Sequence, residues 1–385
     1  MTVQKAILIS SFVPSNNASP VAVNYKMMRL CCDVFEQTEF LTANFPAQAL
    51  ADLPSHRFRL TNLVPEFTTD SSLRAVWGYL RMQAAAIRRI HALRNHAPVV
   101  LFWLSGPMIL PFLYCRLAGL YTVGFLYGNS RRKAEHITLV NFLKAVLMEY
   151  MARHADAACV ESPSVAHHWK IDYEREGLHT VHLYVEDAFF NAGLSYTERP
   201  PVIGICGRLA ASKRILEAVQ AFHQFRRSFP EYSLEIVGDG PLRKECAQLI
   251  SLLGEQAHIK MLGWIDHKSL PDYYGRWRLF LSPTNYEGLP NALLEAMAAG
   301  VPPLVSPVGG VPDVVREGET GWLLSENSSA VIGKRLTALF SDISAMESIS
   351  KACRFEMVQY QYARTRDAFR YFIQTLDNKG ERARL

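Results

Sequence analysis

The chain has 385 residues, longer than a single hydrophobic core sustains, so two domains are expected. With 49% hydrophobic and 20% charged residues, 22 Gly and 20 Pro, the composition is ordinary for a globular protein and excludes disordered, collagen-like and coiled-coil classes. Seven cysteines are scattered without a Cys-x-x-Cys pair, which argues against a disulfide framework or a Cys-rich zinc site and points to a reducing compartment. The net charge of +5 is uneven: residues 1–155 hold 16 Lys and Arg against 8 Asp and Glu, and the remainder 25 against 28. That asymmetry would suit an anionic partner for the first half, a membrane surface or nucleic acid, although a modest Arg excess also simply keeps a protein soluble.

The N-terminus, MTVQKAILISSFVP, has one lysine and an apolar run too short for a signal-peptide core, and it reads as a buried strand over residues 6–11. Residues 71–96 predict a long amphipathic helix with Leu73, Val76, Leu80, Ala84, Ile87 and Ile90 on one face and Arg74, Arg81, Arg88, Arg89 and Arg94 on much of the rest. Residues 97–115 carry no charge and reach membrane-span length. Gly106, Pro107 and Pro111 interrupt them, however, and the flanks suggest a strand at 99–104, a short helix at 108–118 and a strand at 121–126. Strand, helix and strand of this kind form a βαβ unit in a parallel sheet buried on both faces. A helix at 139–153 and a strand at 157–161 follow. The pattern then thins into VEDAFFNAGLSYTERPP, which reads as a linker.

The second half restarts with strands at 202–206, 233–237, 259–262, 279–282 and 304–306, alternating with helices at 215–227, 242–253 and 292–299. This alternation specifies a doubly wound parallel sheet, whose ligands bind beyond the carboxyl ends of the strands. Two loops there carry chemistry. The first, Gly207-Arg208-Leu209-Ala210-Ala211-Ser212-Lys213, sets two cations around one turn before a helix, an arrangement suited to a diphosphate. The second, PTNYEGLPNALLEAM, has Gly288, which permits close backbone approach, and Pro290 at the first helical position. The helix start itself favours anions. Glu287 precedes that helix and Glu295 lies inside it, about 7–8 Å further along its axis, so the two carboxylates can reach different hydroxyl groups of one ligand. Two surface glutamates on an ordinary helix would show the same spacing.

The segment EGLPNALLEAMAAGVPPLVSPVGGVPDVVREGETGWLL, together with GRLAASK, VGDGPLR and LGWI, resembles the signature of glycosyltransferase family 4. These are retaining, nucleotide-sugar-dependent enzymes with the GT-B fold. The likeness is strong over residues 202–324. Upstream it rests on strand order and DAACVESPSVAHHW. It implies two Rossmann-like doubly wound parallel-sheet domains facing a central cleft: an acceptor-binding domain at 1–198, a nucleotide-sugar-binding domain at 199–360, and a last helix at 361–385 crossing back to the first. A helix is also read at 355–376, with Val358, Tyr362, Phe369, Phe372 and Ile373 apolar.

By that resemblance Arg208, Lys213 and Glu287 are the catalytic residues, and Gly288, Leu289 and Glu295 complete the donor site. The two cations would hold the diphosphate and stabilise it as it departs, with no metal and no further cofactor. Glu295 would accept from the ribose, Glu287 from the transferred sugar, and the N–H groups of Gly288 and Leu289 would touch phosphate or sugar. The chain departs from the family after the first strand, where Ser15, Asn16, Asn17, Ala18 and Ser19 replace a Gly-rich loop, and at Tyr127, where many members have His. Asn17, Ser19 and Tyr127 are the acceptor-side candidates. His136 would compensate only if its helix points inward.

The implied reaction moves a sugar from a UDP- or GDP-sugar to a hydroxyl of a glycan or lipid-linked glycan, in the cytoplasm or on the inner face of the membrane. The basic helix at 71–96 and Arg131-Arg132-Lys133 would touch anionic lipid; a solvated Arg face on a packed helix is the competing account. A nucleotide-sugar epimerase of the same fold and a non-catalytic sugar-nucleotide binder are the alternatives. Nucleic-acid binding is disfavoured, because no basic run is interleaved with aromatics.

Overall fold

The computed structural model describes residues 5–12, 18–64, 72–96, 99–103, 108–127, 139–175 and 177–382. They form two compact units, one of Met1–Leu183 with Thr365–Leu385, the other of Tyr184–Arg364. Asn17, Arg131, Arg132, Lys133 and His136 lie outside the described residues, as does the side chain of Ser19.

The first unit runs β1 (Lys5–Phe12), α1 (Ala18–Val34), β2 (Gln37–Ala43), β3 (Phe58–Asn62), α2 (Ser72–Leu93), β4 (Val99–Phe102), α3 (Ile109–Leu117), β5 (Tyr121–Leu126), α4 (Leu139–His154), β6 (Ala157–Val160), α5 (Pro163–His168) and β7 (Leu178–Thr180). Its sheet is parallel throughout, in the order β3-β2-β1-β4-β5-β6-β7. Ile7, Leu8 and Ile9 of β1 and Val99 to Phe102 of β4 are buried on both faces, as expected for strands covered by helices on each side. Within the uncharged stretch at 97–115 the described residues form β4 and the start of the nine-residue α3, whose first turn tolerates Pro111, while Gly106 and Pro107 lie outside the described residues. No helix among the described residues is long and apolar enough to cross a membrane.

The inward face of α2 differs from the expected one. Met82, Gln83, Ala86 and Ile90 are buried, whereas Val76, Trp77, Leu80 and Ala84 are exposed. The helix carries two apolar stripes at helical spacing, and only packing against α3 selects between them: Gln83 Oε1 accepts from the Leu110 N–H at 3.0 Å, and the His91 ring meets the Tyr114 hydroxyl at 2.7 Å. Arg89 is not part of a solvated face either, because its Nε lies 2.8 Å from Glu39 Oε1.

The second unit runs α6 (Asp187–Phe190), β8 (Val202–Cys206), α7 (Ile215–Arg226), β9 (Ser233–Val237), α8 (Arg243–Leu252), β10 (Ile259–Gly263), α9 (Leu270–Tyr274), β11 (Leu279–Ser282), α10 (Asn291–Ala298), β12 (Pro303–Val305), β13 (Trp322–Leu323), α11 (Ser329–Phe340) and α12 (Ile343–Met357). The sheet order is β10-β9-β8-β11-β12-β13, again parallel. Gly204 in β8 leaves room for Trp277, since a Cβ there would fall 1.9 Å from the indole.

The stretch expected to be a linker is instead packed into this unit, whose boundary falls at Leu183/Tyr184. Phe189, Tyr196 and Arg199 are buried. The Arg199 guanidinium donates to the carbonyls of Trp277, Ala299 and Gly300 at 2.7–3.0 Å. Its interactions are long-range, which is why local pattern read the segment as irregular. The helix expected at 355–376 is also broken. Residues Val358–Tyr360 form a 3-10 turn, and Gln361 is extended, paired as an isolated bridge with Val185, before α13 (Tyr362–Arg382) begins. From Thr365 onward α13 belongs to the first unit, where Phe369 packs edge-on against Phe35 with centroids 6.3 Å apart.

Candidate active site

The carboxyl ends of β8, β9, β11 and β12 present four loops that lean on one another through glycines. After β8, Gly207 opens a turn that continues through the 3-10 segment Ala211–Lys213 to Arg214, which is left-handed at φ 50° and precedes α7. Gly238, after β9, has φ 127°, and a Cβ on it would lie 2.0 Å from the Gly207 carbonyl oxygen. Gly309, after β12, has φ 58°, and its Cβ would lie 2.2 Å from the Glu287 carbonyl. The Gly310 N–H then donates to the Gly288 carbonyl at 2.7 Å. Only glycine allows backbone to approach backbone this closely at positive φ.

The loops after β8 and β11 are also joined directly. The Asn285 N–H donates to the Ser212 carbonyl at 2.8 Å, and the buried Thr284 hydroxyl lies 3.1 Å from the same oxygen. Asn327 reaches in from beyond β13, its side-chain amide donating to Asn285 Oδ1 at 3.0 Å while its Oδ1 accepts from Ser306. Pro290 immediately precedes α10 in an extended conformation rather than occupying its first turn.

On this frame the predicted residues fall as follows. The Lys213 ammonium forms an ion pair with the Glu287 carboxylate, and both side chains are largely buried. Burial lowers the Lys213 pKa, against a smaller opposing effect of Cys206. Arg208, on the same loop, is exposed. Leu289 is buried and Gly288 half-buried. Glu295 lies inside α10 and is only 5% exposed. Its Oε1 is 2.8 Å from His267 Nε2, and its Oε2 is 3.5 Å from the Tyr274 hydroxyl. Cys206 lies at the end of β8, close enough to Glu295 and Lys213 to feel their charges; burial, helped by Glu295, pushes its thiol up to about 12 and leaves it protonated. Tyr274 is held protonated by burial in the same way.

In the first unit, Tyr127 follows β5. Its hydroxyl donates to the Val181 carbonyl, and its ring packs edge-on against Trp103 with centroids 4.5 Å apart. Burial raises its pKa well above the usual phenol value, so at neutral pH it is a donor and not a base.

Sequence reasoning missed His267, Tyr274, Cys206 and Asn327. Cys206 directly precedes the Gly207–Lys213 loop but carries no signal of its own as a strand residue, whereas His267, Tyr274 and Asn327 lie outside the two loops and reach the site from distant parts of the chain. A lone histidine in IDHKSL carries no local signal. Chemically, the arrangement offers two cations, a carboxylate held against one of them, and a second carboxylate whose oxygens are both oriented.

Residues 189–354 match the family model of glycosyl transferases group 1. The putative colanic acid biosynthesis glycosyltransferase WcaL of Salmonella typhimurium is 30% identical over 160 residues, a match that covers 40% of this chain and 39% of that protein. The chain thus spans less than half the length of that relative. The alpha-D-kanosaminyltransferase of Streptomyces kanamyceticus is 23% identical over 316 residues, covering 78% of this chain and 80% of the other. Among solved structures, the Anabaena protein HepE in complex with UDP superimposes with a TM-score of 0.73 at 16% identity, covering 96% of this chain and all of that one. At that identity the likeness is one of fold: two parallel-sheet α/β domains of the GT-B class.

Proposed function

We propose that the chain is a retaining, metal-independent glycosyltransferase of family 4. It transfers a sugar from a UDP- or GDP-sugar to a hydroxyl of a glycan or lipid-linked glycan, in the cytoplasm or on the inner membrane face. The observation that carries this reading is the convergence of Lys213, Glu287 and Glu295 at the strand ends of the second sheet, inside the stretch that matches glycosyl transferases group 1. The UDP complex of HepE and the likeness to WcaL, a putative colanic acid biosynthesis glycosyltransferase, support the donor class and the glycan acceptor.

In this reading Arg208 and Lys213 grip the diphosphate, and the N–H groups of Gly288 and Leu289 touch phosphate or sugar. Glu287 accepts from the sugar and Glu295 from the ribose. The acceptor oxygen attacks the anomeric carbon on the face the leaving group departs from. The bond from that carbon to the phosphate oxygen breaks with its electron pair going to the diphosphate, which also takes the acceptor proton. Charge thus grows on the diphosphate as the bond breaks, and two preorganised cations stabilise it there, the task a divalent ion would otherwise perform. Asn17, Ser19 and Tyr127 are assigned to the acceptor side.

The test is a thermal-shift panel of UDP, GDP, ADP, CMP and dTDP and their common sugars, with Lys213→Ala beside the wild type. A ligand at about 100-fold its dissociation constant stabilises the native state by roughly 2.7 kcal/mol. A shift with one nucleotide that disappears in the variant is expected. No shift with any of them overturns the donor site.

Contact with an anionic membrane is part of the proposal. Val76, Trp77 and Leu80 on α2 and Leu110, Leu113 and Leu117 on the adjoining α3 are exposed, and Arg81 and Arg88 flank them. Apolar side chains beside arginines suit the interface of an anionic bilayer. Flotation with phosphatidylglycerol vesicles should recover the protein, and Trp77→Ser with Leu113→Ser should reduce recovery. Equal recovery with neutral vesicles removes the claim.

A further inference from the structure

We propose that His267 is a positioning residue: it orients the Glu295 carboxylate toward the ribose and so sets the preference of the site for ribonucleotides over deoxynucleotides. The inference rests on the donor reading above.

A glutamate on a helix does not hold its own carboxylate in place, because its terminal torsion is broad. Two other elements hold this one. His267 belongs to the 3-10 turn His267–Ser269 that follows β10, and its Nε2 lies 2.8 Å from Glu295 Oε1. An ionised carboxylate only accepts, so the imidazole proton sits on Nε2. Tyr274, at the end of α9, places its hydroxyl 3.5 Å from the other oxygen.

Both rings are themselves held. Phe189 packs against His267 and Tyr274 with centroids 5.3 and 5.6 Å apart, and Trp277 backs Tyr274 at 4.7 Å. The carboxylate is thus fixed in plane and tilt, while a carboxylate's roughly four acceptor positions leave lone pairs for a ligand.

The Glu295 side chain is 6% accessible and that of His267 37%, so the imidazole is the more exposed member of the pair. A carboxylate held at one angle matches a vicinal diol in one pose. If it were released to rotate, it would meet the hydroxyls less well and would distinguish less sharply a sugar that lacks them.

The experiment titrates UDP, GDP and ADP, each beside its 2′,3′-dideoxy counterpart, by calorimetry, and carries the tightest pair into variants. The wild type should prefer the ribonucleotide by about tenfold or more, the range of one or two hydrogen bonds to a charged group. Glu295→Ala should abolish that preference. His267→Ala and His267→Phe, the latter keeping a ring against Phe189, should each lose most of it while binding the dideoxy ligand as the wild type does. His267→Gln, whose amide can donate to the same oxygen, should restore much of the preference, which a role in packing alone would not predict. Wild-type preference in His267→Phe, with loss in Glu295→Ala, overturns the inference and spares the donor reading. Wild-type preference in Glu295→Ala, or no binding of any nucleotide, overturns both.

Discussion

The Lys213 ammonium is paired with the Glu287 carboxylate, joining the loop after β8 to the loop after β11. The proposed roles pull these two groups apart: one faces the diphosphate, the other the sugar. On those roles a diphosphate entering the site would compete with Glu287 for the lysine, and the carboxylate it displaced would become available to the sugar hydroxyl.

From this competition, Glu287→Gln should have opposite effects on binding and on transfer. Removing the carboxylate frees Lys213, so free UDP or GDP should bind as well or tighter, by up to about fivefold, the range of a weak ion pair. Transfer should fall by about 10- to 100-fold, as expected when a hydrogen bond to a charged group is lost. Calorimetry with the nucleotide and kcat/KM with the sugar nucleotide read the two effects. Equal losses in both would show that Glu287 does not compete with the ligand.

The buried state of Lys213 predicts a pH dependence. Its pKa is lowered from the ordinary 10.5 by burial, so the lysine begins to lose its proton below that value as pH rises. A bound diphosphate favours the charged form, and nucleotide affinity should therefore fall on the alkaline side, toward about a decade per pH unit. In the free protein the sign is reversed. Between the lowered value and 10.5 the unfolded chain holds more protons, so this group's contribution to stability rises with pH. Lys213→Arg stays charged and should flatten the affinity slope; titrations at pH 7 to 10 on both proteins make the comparison. Identical slopes would assign the effect to the nucleobase.

Gly309→Ala should damage the site from outside it. The added methyl would fall against the Glu287 carbonyl at a position already at φ 58°, so the loop must shift or strain. A cost of about 1–3 kcal/mol is expected, measured by urea unfolding. Transfer should fall further than nucleotide binding, because the displaced group is the one assigned to the sugar. Unchanged stability would mean that the turn after β12 can move freely.

Much of the fold was legible because parallel strands buried on both faces are near-continuous apolar runs, visible without knowing their neighbours. β8, β9 and β11 fall at the predicted residues, and so do the loops that follow them. Gly238 and Gly240 of VGDG and Gly309 of VGG were equally visible, although only packing explains them: each lets one loop rest on the backbone of another. The inward face of α2 was not legible, because two apolar stripes satisfied the same periodicity.

The sequence by itself determined the alternation of strands and helices, the loops at the strand ends, and the residues in them that suit a diphosphate and two sets of hydroxyls. Those features are local, set by periodicity and turn chemistry. Only the tertiary structure decided that Arg199 ties the supposed linker into the second unit, that Lys213 rests on Glu287, and that His267 and Tyr274 hold Glu295. These are contacts between distant parts of the chain. Local pattern is silent about them, because the same short segment forms under many choices of partner and only packing selects among them.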